Sequence, residues 1–498
     1  MRIKKEVRKI VASVLAFLMV VSLIPVNSLM TKANAASKTT FEGGKTVEDG
    51  TWKGWTWNVF GSSTDVTKAS ATDTGNGGVT LEVTGDKGKI NGSASDQGLN
   101  TFLYELDKSY DFTITAQAKI DTLATNEQAA FGLTIRDNVG THGNTTKLTA
   151  DKNNFAFVGG YGNKDNNADE TTNHGNAGYK TTKLKHTRLG KSPAVGGTYD
   201  LAIQKIGDSV KLYFDGEVAA ECSAADLITD DTMYVGLFAA RNAKITFNNV
   251  KLAYTQDSSS VKVTNVTAPK KTTYCAGNTY EDVDLTGFKA TVSVDGKERE
   301  ITAADCVVDM SSKPFSEVTE AGKLNLLYLG QVIEVPITVI KEVVSDMYIE
   351  YMPVKTDYMV TDTALDFTGL VGKVVYNSGR TFDLKTLIDN KDANTTVSDV
   401  DFTTAGDKEV TISHTYGDVT KDVIIPISIS DATVKNITIT NPNTTRFYTD
   451  SKYDENDYVE GLTITADYSD GSSKVIQGTD AVKGYVRAES TELDTTKA

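Results

Sequence analysis

Apolar and polar residues alternate along most of this chain, and that pattern constrains its fold more than any other feature. The segments Phe112–Ile120 and Val210–Phe214 are clear examples, with every second residue apolar. Successive side chains of a β-strand point to opposite faces, so this period predicts half-buried strands. The runs are short and end in Gly, Asn and Asp turns such as Asp215-Gly216. We therefore predict an all-β protein built of sandwiches rather than βαβ units.

The N-terminus has the three parts of a secretory signal peptide. Basic residues within Arg2–Lys9 precede an almost wholly apolar segment, Ile10–Pro25, and Ala33-Asn34-Ala35 supplies small residues for cleavage. An uncleaved anchor would need about 20 apolar residues to span a bilayer. We expect residues 1–35 to be removed, no membrane span after cleavage, and an extracellular protein, either secreted or displayed on the cell surface.

Charge and cysteine content exclude several classes of function. The 498 residues include 51 Lys and Arg against 66 Asp and Glu, a net charge of −15 that argues against nucleic acid as a partner. Three cysteines are too few for a disulfide scaffold, and four scattered histidines favour no zinc site. Cys275 and Cys306 are a candidate disulfide, with buried thiols as the alternative. The sequence leaves the oligomeric state open.

The second half of the chain repeats with a period of about 85–90 residues. Each unit has an alternating strand, a polar bend containing a tyrosine, and a glycine before a second strand; the tyrosines are Tyr274, Tyr358 and Tyr448. This pattern resembles the group 3 bacterial Ig-like domains, which implies small β-sandwiches used as spacers or adhesive stalks. We expect such domains at 261–341, 343–430 and 433–498. The third lacks a closing hairpin, so we expect the chain to be part of a longer protein.

Residues 40–255 hold too many strand candidates for one Ig-like unit and fit a two-sheet jelly roll. The segments 198–218 and 234–254 resemble the concanavalin A-like lectin and glucanase sandwich. That resemblance implies a setting in carbohydrate binding or degradation, because similar domains occur in secreted polysaccharide lyases and glycosidases. The predicted fold class is therefore a jelly-roll sandwich followed by tandem Ig-like β-sandwiches.

Two groups of residues in this domain are candidates for ligand binding. Trp55 and Trp57 would suit sugar stacking if they are exposed, with internal packing as the alternative. Arg136-Asp137 and Arg241 each follow an apolar run, and all three residues are ligand-binding candidates, since a guanidinium there could bind a uronate carboxylate through two hydrogen bonds. The alternative is that these arginines tie loop carbonyls, or that Arg136 pairs with Asp137.

Evidence for a cofactor or for catalysis is weak. Asp165, Asp169 and Glu170 lie in a long polar loop and are weak candidates for Ca²⁺, but their spacing does not match an EF-hand and a solvated loop is the alternative. No other cofactor is expected. A retaining glucanase needs two carboxylates about 5 Å apart, and the matching E-x-D-x-x-E motif occurs only at Glu455–Glu460, in the third repeat, where we attribute it to chance.

The sequence therefore leaves three hypotheses, and no catalytic residue is assigned. The leading one is a non-catalytic extracellular protein whose jelly roll binds a polysaccharide or cell-wall glycan on an Ig-like stalk. The second is the N-terminal accessory fragment of a secreted polysaccharide lyase or glycoside hydrolase, similar to pectate lyases, with the catalytic domain beyond residue 498. The third is an adhesin whose jelly roll binds a protein.

Overall fold

A computed structural model describes residues 39–61, 65–90, 97–125, 128–145, 148, 153–161, 174–360, 362–431, 433–440, 461–468 and 471–477. These residues are nearly all β, which confirms the predicted fold class. They divide into two compact units, the first within Met1–Thr272, Val283–Pro314 and Lys323–Pro336 and the second within Thr273–Asp282, Phe315–Gly322 and Ile337–Ala498. The predicted signal peptide, 1–35, lies outside the described residues. Within them, no helix has the length and apolarity needed to cross a membrane.

The first unit begins with the predicted jelly roll. Its described strands, numbered in chain order, are β1 (Thr39–Thr40), β2 (Trp55–Gly61), β3 (Ala69–Gly75), β4 (Gly78–Val83), β5 (Gly98–Asp107), β6 (Asp111–Leu123), β7 (Ala130–Arg136), β8 (Phe155–Tyr161), β9 (His174–Lys180), β10 (Leu184–Arg188), β11 (Thr198–Ile206), β12 (Ser209–Phe214), β13 (Glu217–Ser223), β14 (Thr232–Ala240) and β15 (Ala243–Thr255). A short α-helix, Ala224–Leu227, follows β13, and a 3-10 turn, Val66–Lys68, precedes β3.

These strands form two sheets that pack face to face. In the described residues one sheet has eight strands in the order β1-β3-β4-β15-β6-β11-β12-β13, and the other has seven in the order β10-β9-β8-β7-β14-β5-β2. The core between them contains Ile114 and Ile203 from the first sheet, and Leu133, Val158 and Leu237 from the second. Residues in alternate positions therefore lie on the outer face of each sheet.

Two glycines allow β7 and β8 to lie side by side. Gly132 and Gly159 are paired across the two strands, with φ values of 150° and 155°. A Cβ on Gly132 would lie 2.0 Å from the carbonyl oxygen of Val158, and one on Gly159 would lie 2.0 Å from that of Phe131. A side chain at either position would therefore separate the strands.

The outer face of the eight-stranded sheet is covered by a later part of the same unit. Ala202 and Tyr213 on this face form a buried apolar cluster with Val307, and Leu327 packs against it. The Thr115 hydroxyl donates to the carbonyl oxygen of Ala304 at 2.6 Å, the Thr113 hydroxyl accepts from the backbone of Leu329 at 3.2 Å, and the Met310 amide donates to Gly216 at 3.0 Å. The segments 304–310 and 327–329 of this unit are therefore packed on the jelly roll.

The remaining described strands occur in a repeated arrangement. They are β16 (Lys262–Thr267), β17 (Thr273–Cys275), β18 (Lys289–Val294), β19 (Lys297–Thr302), β20 (Val307–Asp309), β21 (Thr319–Tyr328), β22 (Gln331–Ile340), β23 (Val344–Tyr351), β24 (Asp357–Met359), β25 (Val371–Tyr376), β26 (Thr381–Asp383), β27 (Thr395–Val397), β28 (Gly406–Tyr416), β29 (Val419–Ser430), β30 (Val434–Thr440), β31 (Thr463–Tyr468) and β32 (Ser473–Gln477). The other helices of the described residues are an α-helix, Leu384–Asp389, and 3-10 turns at Ser258–Ser260, Tyr280–Asp282 and Ala303–Asp305.

The repeat is visible in how these strands pair. The antiparallel trio β16-β18-β19 corresponds to β23-β25-β26 and to β30-β31-β32. A short strand pairs in parallel with a long closing strand twice, β17 with β22 and β24 with β29. The tyrosines that the sequence placed in the polar bends, Tyr274 and Tyr358, are both buried. The prediction that the third unit lacks a closing hairpin concerns the end of the chain, and residues after 477 lie outside the described residues.

Candidate functional site

The outer face of the seven-stranded sheet contains the candidate ligand-binding site of the jelly roll. It carries a second apolar cluster, separate from the inter-sheet core, whose buried members are Phe60, Ile90, Leu99, Ala130, Phe155, Phe157, Tyr161, Phe238 and Ala240. The strands that form it, such as AFGLTIR in β7 and FAFVGGY in β8, are buried on both faces. A charged group inside such a layer needs a specific explanation.

Arg136 is that charged group. It ends β7, its side chain is fully buried, and its guanidinium carbon lies 5.0 Å from the ring centre of Phe155 and 5.6 Å from that of Phe60. Its Nη2 donates to the Oε1 of Gln97 at 2.7 Å and to the Oδ1 of Asn153 at 2.9 Å, and its Nε donates to the backbone oxygen of Asn138 at 3.3 Å. We call Gln97, Arg136 and Asn153 the Arg136 centre.

The Arg136 centre has more hydrogen-bond donors than acceptors. Among the described residues, the Nη1 of Arg136, the Nε2 of Gln97 and the Nδ2 of Asn153 are buried and have no hydrogen-bond partner. The amide oxygens of Gln97 and Asn153 already accept from the guanidinium, which fixes the orientation of both amides. What the centre leaves unpaired is therefore N–H groups only.

The charge of the centre is also uncompensated by the described residues, which contact the guanidinium through neutral amide oxygens. Burial lowers the pKa of Arg136 to about 9. Lys180 is the last residue of β9 and is paired with Phe155 of β8. Its side chain is buried and donates to the backbone oxygen of Asn153 at 3.0 Å. Burial and then repulsion by Arg136 lower the pKa of Lys180. The described residues thus place two buried cationic side chains close together on this outer face.

Two asparagines on the same outer face supply unpaired acceptors. The side-chain oxygens of Asn58 in β2 and Asn176 in β9 are buried without a partner in the described residues. The amide nitrogen of Asn58 donates to the carbonyl of Gly140 at 2.6 Å, and that of Asn176 lies 3.3 Å from the Nδ1 of His186. The face thus offers donors near Arg136 and acceptors elsewhere.

Asp137 does not pair with Arg136, which was one of the alternatives. Its carboxylate accepts from the backbone amides of Thr229 and Asp230 at 2.9 and 3.0 Å and from the Thr229 hydroxyl at 2.7 Å. Asp137 therefore anchors the segment before β14. Its oxygens already have three donors, which suits a structural role.

Arg241 forms part of a turn. Arg241 and Asn242 have φ values of 57° and 40° and connect β14 to β15. The Nε of Arg241 donates to the carbonyl of Gly88 at 3.2 Å. This is the loop tie that the sequence analysis gave as the alternative to ligand binding.

Trp55 and Trp57 lie in the inter-sheet core and not on a binding face. Their exposed fractions are 6% and 8%. Trp55 stacks on Phe102 with ring centres 5.2 Å apart, and the Trp57 indole donates to the Oδ1 of Asn100 at 2.7 Å. Sugar stacking requires exposed rings, so the structure gives the stacking hypothesis for this pair no support.

The remaining predicted site residues fall into two groups. The Ca²⁺ candidates Asp165, Asp169 and Glu170 lie outside the described residues, within which no cluster of His, Cys, Asp or Glu is placed to hold a metal ion. Cys275 and Cys306 are buried thiols, and the Cys306 Sγ donates to the Thr302 carbonyl at 3.6 Å. The disulfide is not formed in the structure, and its formation stays a prediction.

Gln97 and Asn153 were missed by the sequence analysis. Neither belongs to a motif, and each stands just before a strand, in a polar segment that predicts only a loop. The signal available was indirect: β7 and β8 are apolar at nearly every position, which is typical of strands buried on both faces. That pattern would have placed Arg136 in a second core and raised the question of its partners.

Part of this domain matches a known family. A family model described as the Pectate disaccharide-lyase N-terminal domain matches residues 58–257. The match begins within β2 and extends just past the end of β15. The jelly roll is therefore similar to a domain that occurs at the N-terminus of that class of lyase.

A particular relative extends the similarity beyond the jelly roll. Pectate lyase L from Thermoclostridium stercorarium is 27% identical over 442 residues, which cover 86% of this chain and 33% of that protein. The chain thus spans about a third of the length of the curated relative it matches. Among solved structures, a carbohydrate binding module, CBM66, from Bacillus subtilis has 15% identity and a TM-score of 0.24 over 43% of this chain and 98% of its own. Lectin II from Ulex europaeus has 10% identity and a TM-score of 0.28, with the same coverage.

Proposed function

We propose that this chain is the extracellular, non-catalytic part of a pectate lyase-like protein, and that its jelly roll, residues 40–255, binds an acidic polysaccharide. The observation that carries the proposal is the positively charged Arg136 centre, in a domain similar to the N-terminal domain of pectate disaccharide-lyases. Pectate is a polymer of unesterified uronate residues, so its recognition requires cationic donors.

The overall charge of the chain makes this requirement local. With a net charge of −15 the protein as a whole repels a polyanion. A polyuronate ligand therefore has to be held at a place where positive charge exceeds negative charge. Among the described residues, the buried guanidinium of Arg136 meets this condition on the outer face of the seven-stranded sheet.

We further propose that the strands after β15 form Ig-like domains at 261–341, 343–430 and 433–498. The repeated pairing of β16-β18-β19 and β23-β25-β26 supports this assignment. Ala304, Val307 and Leu327 of the first of these domains belong to the same compact unit as the jelly roll and contact it, so we assign this segment a supporting role in addition to that of a spacer.

Affinity gel electrophoresis of the mature chain tests the proposed function. We expect retardation in gels containing polygalacturonate, weaker retardation in highly methyl-esterified pectin, and none in neutral β-glucan. Parallel gels with Ca²⁺ and with a chelator determine whether a cation contributes. Equal mobility in all gels, with and without Ca²⁺, would refute binding to polysaccharides, and equal retardation by β-glucan would refute the preference for acidic polymers.

A further inference from the structure

We infer that the Arg136 centre is a carboxylate-binding subsite that takes the C6 carboxylate of a uronic acid. This inference rests on the proposed function and deepens it, because it names the group that is recognised and the atoms that recognise it. The starting observation is that three buried nitrogen atoms, one each from Gln97, Arg136 and Asn153, have no acceptor among the described residues.

The chemistry of the unpaired groups selects the ligand. The Nη1 of Arg136 and the two amide nitrogens carry N–H groups alone, so the complementary ligand is an acceptor with several lone pairs. A neutral hydroxyl would bring a proton that itself needs an acceptor, and the amide oxygens of the centre are already used. A carboxylate has two oxygens that accept only.

The charge of the centre points in the same direction. A buried guanidinium without a counterion is unfavourable, and the described partners accept hydrogen bonds from Nε and Nη2 without neutralising its charge. A water molecule would accept a hydrogen bond from an unpaired donor but would not neutralise the charge of the guanidinium. A bound carboxylate would do both, and charge-assisted N–H···O bonds are about twice as strong as neutral ones.

The neighbours of Arg136 are suited to holding it ready for such a ligand. The rings of Phe60 and Phe155 lie 5.6 and 5.0 Å from the guanidinium carbon and restrict its rotation. The Nη2 and Nε atoms are held by three oxygens, which leaves the buried Nη1 as the guanidinium nitrogen without a hydrogen-bond partner among the described residues. Little conformational entropy would then be lost on binding.

Isothermal titration calorimetry on the mature chain tests the inference, with sodium galacturonate as the probe. Galactose and the methyl ester of galacturonic acid are the neutral controls, and sodium acetate at the same ionic strength tests a bare carboxylate. We expect galacturonate to bind, at least tenfold more tightly than either neutral sugar and than acetate. Equal affinity for galactose, or for the methyl ester, would overturn the carboxylate assignment; equal affinity for acetate would overturn the assignment to a sugar acid.

Two substitutions test the centre itself. Arg136→Met keeps an unbranched apolar side chain but removes the guanidinium and its charge, and we expect at least a tenfold loss of galacturonate affinity. Gln97→Glu places an internal carboxylate beside the guanidinium at the position where the Oε1 of Gln97 now accepts at 2.7 Å. We expect this variant to fold, to be more heat-stable than the wild type, and to lose galacturonate binding because its own carboxylate neutralises the site.

Matched controls are Arg299→Met, which removes an exposed arginine from β19, and Gln117→Glu, which adds the same charge to β6 of the eight-stranded sheet. Both should bind as the wild type does. If Gln97→Glu binds galacturonate with unchanged affinity, the inference is wrong, whether or not Arg136→Met folds. If the wild type is retarded by polygalacturonate and Gln97→Glu is retarded equally, the subsite fails while the proposed function stands.

Discussion

Replacing Trp55 by alanine separates the two roles considered for the tryptophan pair. In the structure Trp55 is 6% exposed and contacts three aromatic rings, Phe102 at 5.2 Å, Trp52 at 5.6 Å and Tyr104 at 5.9 Å between ring centres. Trp→Ala at a buried site costs about 3–5 kcal/mol, and aromatic pairs add about 0.5–1.5 kcal/mol each beyond area burial. We therefore expect Trp55→Ala to destabilise the jelly roll by about 4–5 kcal/mol.

Urea unfolding followed by tryptophan fluorescence measures this change. The three tryptophans of the chain, Trp52, Trp55 and Trp57, lie in the jelly roll, so the signal reports on that domain alone. With a slope of about 2 kcal/mol per molar urea, the midpoint should fall by about 2 M. Trp55→Phe, which keeps a ring against Phe102, serves as the matched variant and should lose less than half as much.

Polysaccharide binding measured well below the unfolding transition gives the second readout. We expect Trp55→Phe to be retarded by polygalacturonate as the wild type is, because the side chain contacts the core and not the outer face. The packing argument would be refuted by a Trp55 variant that does not bind but has a urea midpoint within about 0.3 M of the wild type. With the slope given above, that shift corresponds to a change of less than about 1 kcal/mol in the free energy of unfolding.

Three further predictions concern stability. Gly132→Ala should prevent the close pairing of β7 and β8, because its Cβ would lie 2.0 Å from a backbone oxygen. We expect little folded protein, measured by soluble yield and circular dichroism. Gly143→Ala, at an open turn with φ 72°, is the milder control. Leu327→Ser should lower the free energy of unfolding of the jelly roll by about 2 kcal/mol, because it exposes Tyr213, and so lower the urea midpoint seen by tryptophan fluorescence. An unchanged midpoint would show that the packed segment does not stabilise the jelly roll. Burial lowers the pKa of His414, so the folded state resists its protonation and stability should fall as the pH drops below about 6.5, the ordinary value. Calorimetry at pH 7.5 and 5.0 should show a smaller difference for His414→Gln, and an equal difference would contradict this sign.

The sequence predicts local β structure well because the information is local. The turn at Asp215-Gly216 is found between β12 and β13, with φ values of 46° and 77°, as a two-residue hairpin turn requires. The alternation in Phe112–Ile120 correctly places Ile114 in the inter-sheet core. In such cases the residues themselves determine which side chains share a face.

The direction in which a face points is not local information. Trp55 and Trp57 are two residues apart on β2 and share a face, but alternation cannot tell the inner face of a sheet from the outer one. The same limit applies to Arg136: its contacts with Gln97 and Asn153 join segments far apart in sequence. Only the arrangement of β2, β5, β7 and β8 in one sheet brings them together.

The residues that contact the Arg136 guanidinium through their side chains are neutral amides, although acidic residues would fit in the same places. The chain has 66 acidic residues, and a buried arginine is ordinarily matched by one of them. Gln97 and Asn153 have the same shape as Glu and Asp, and each already directs an oxygen at the guanidinium. An acid at either place would neutralise the buried charge without changing the geometry. Amides at both places keep the positive charge available, which is expected if the missing negative charge is supplied by a ligand.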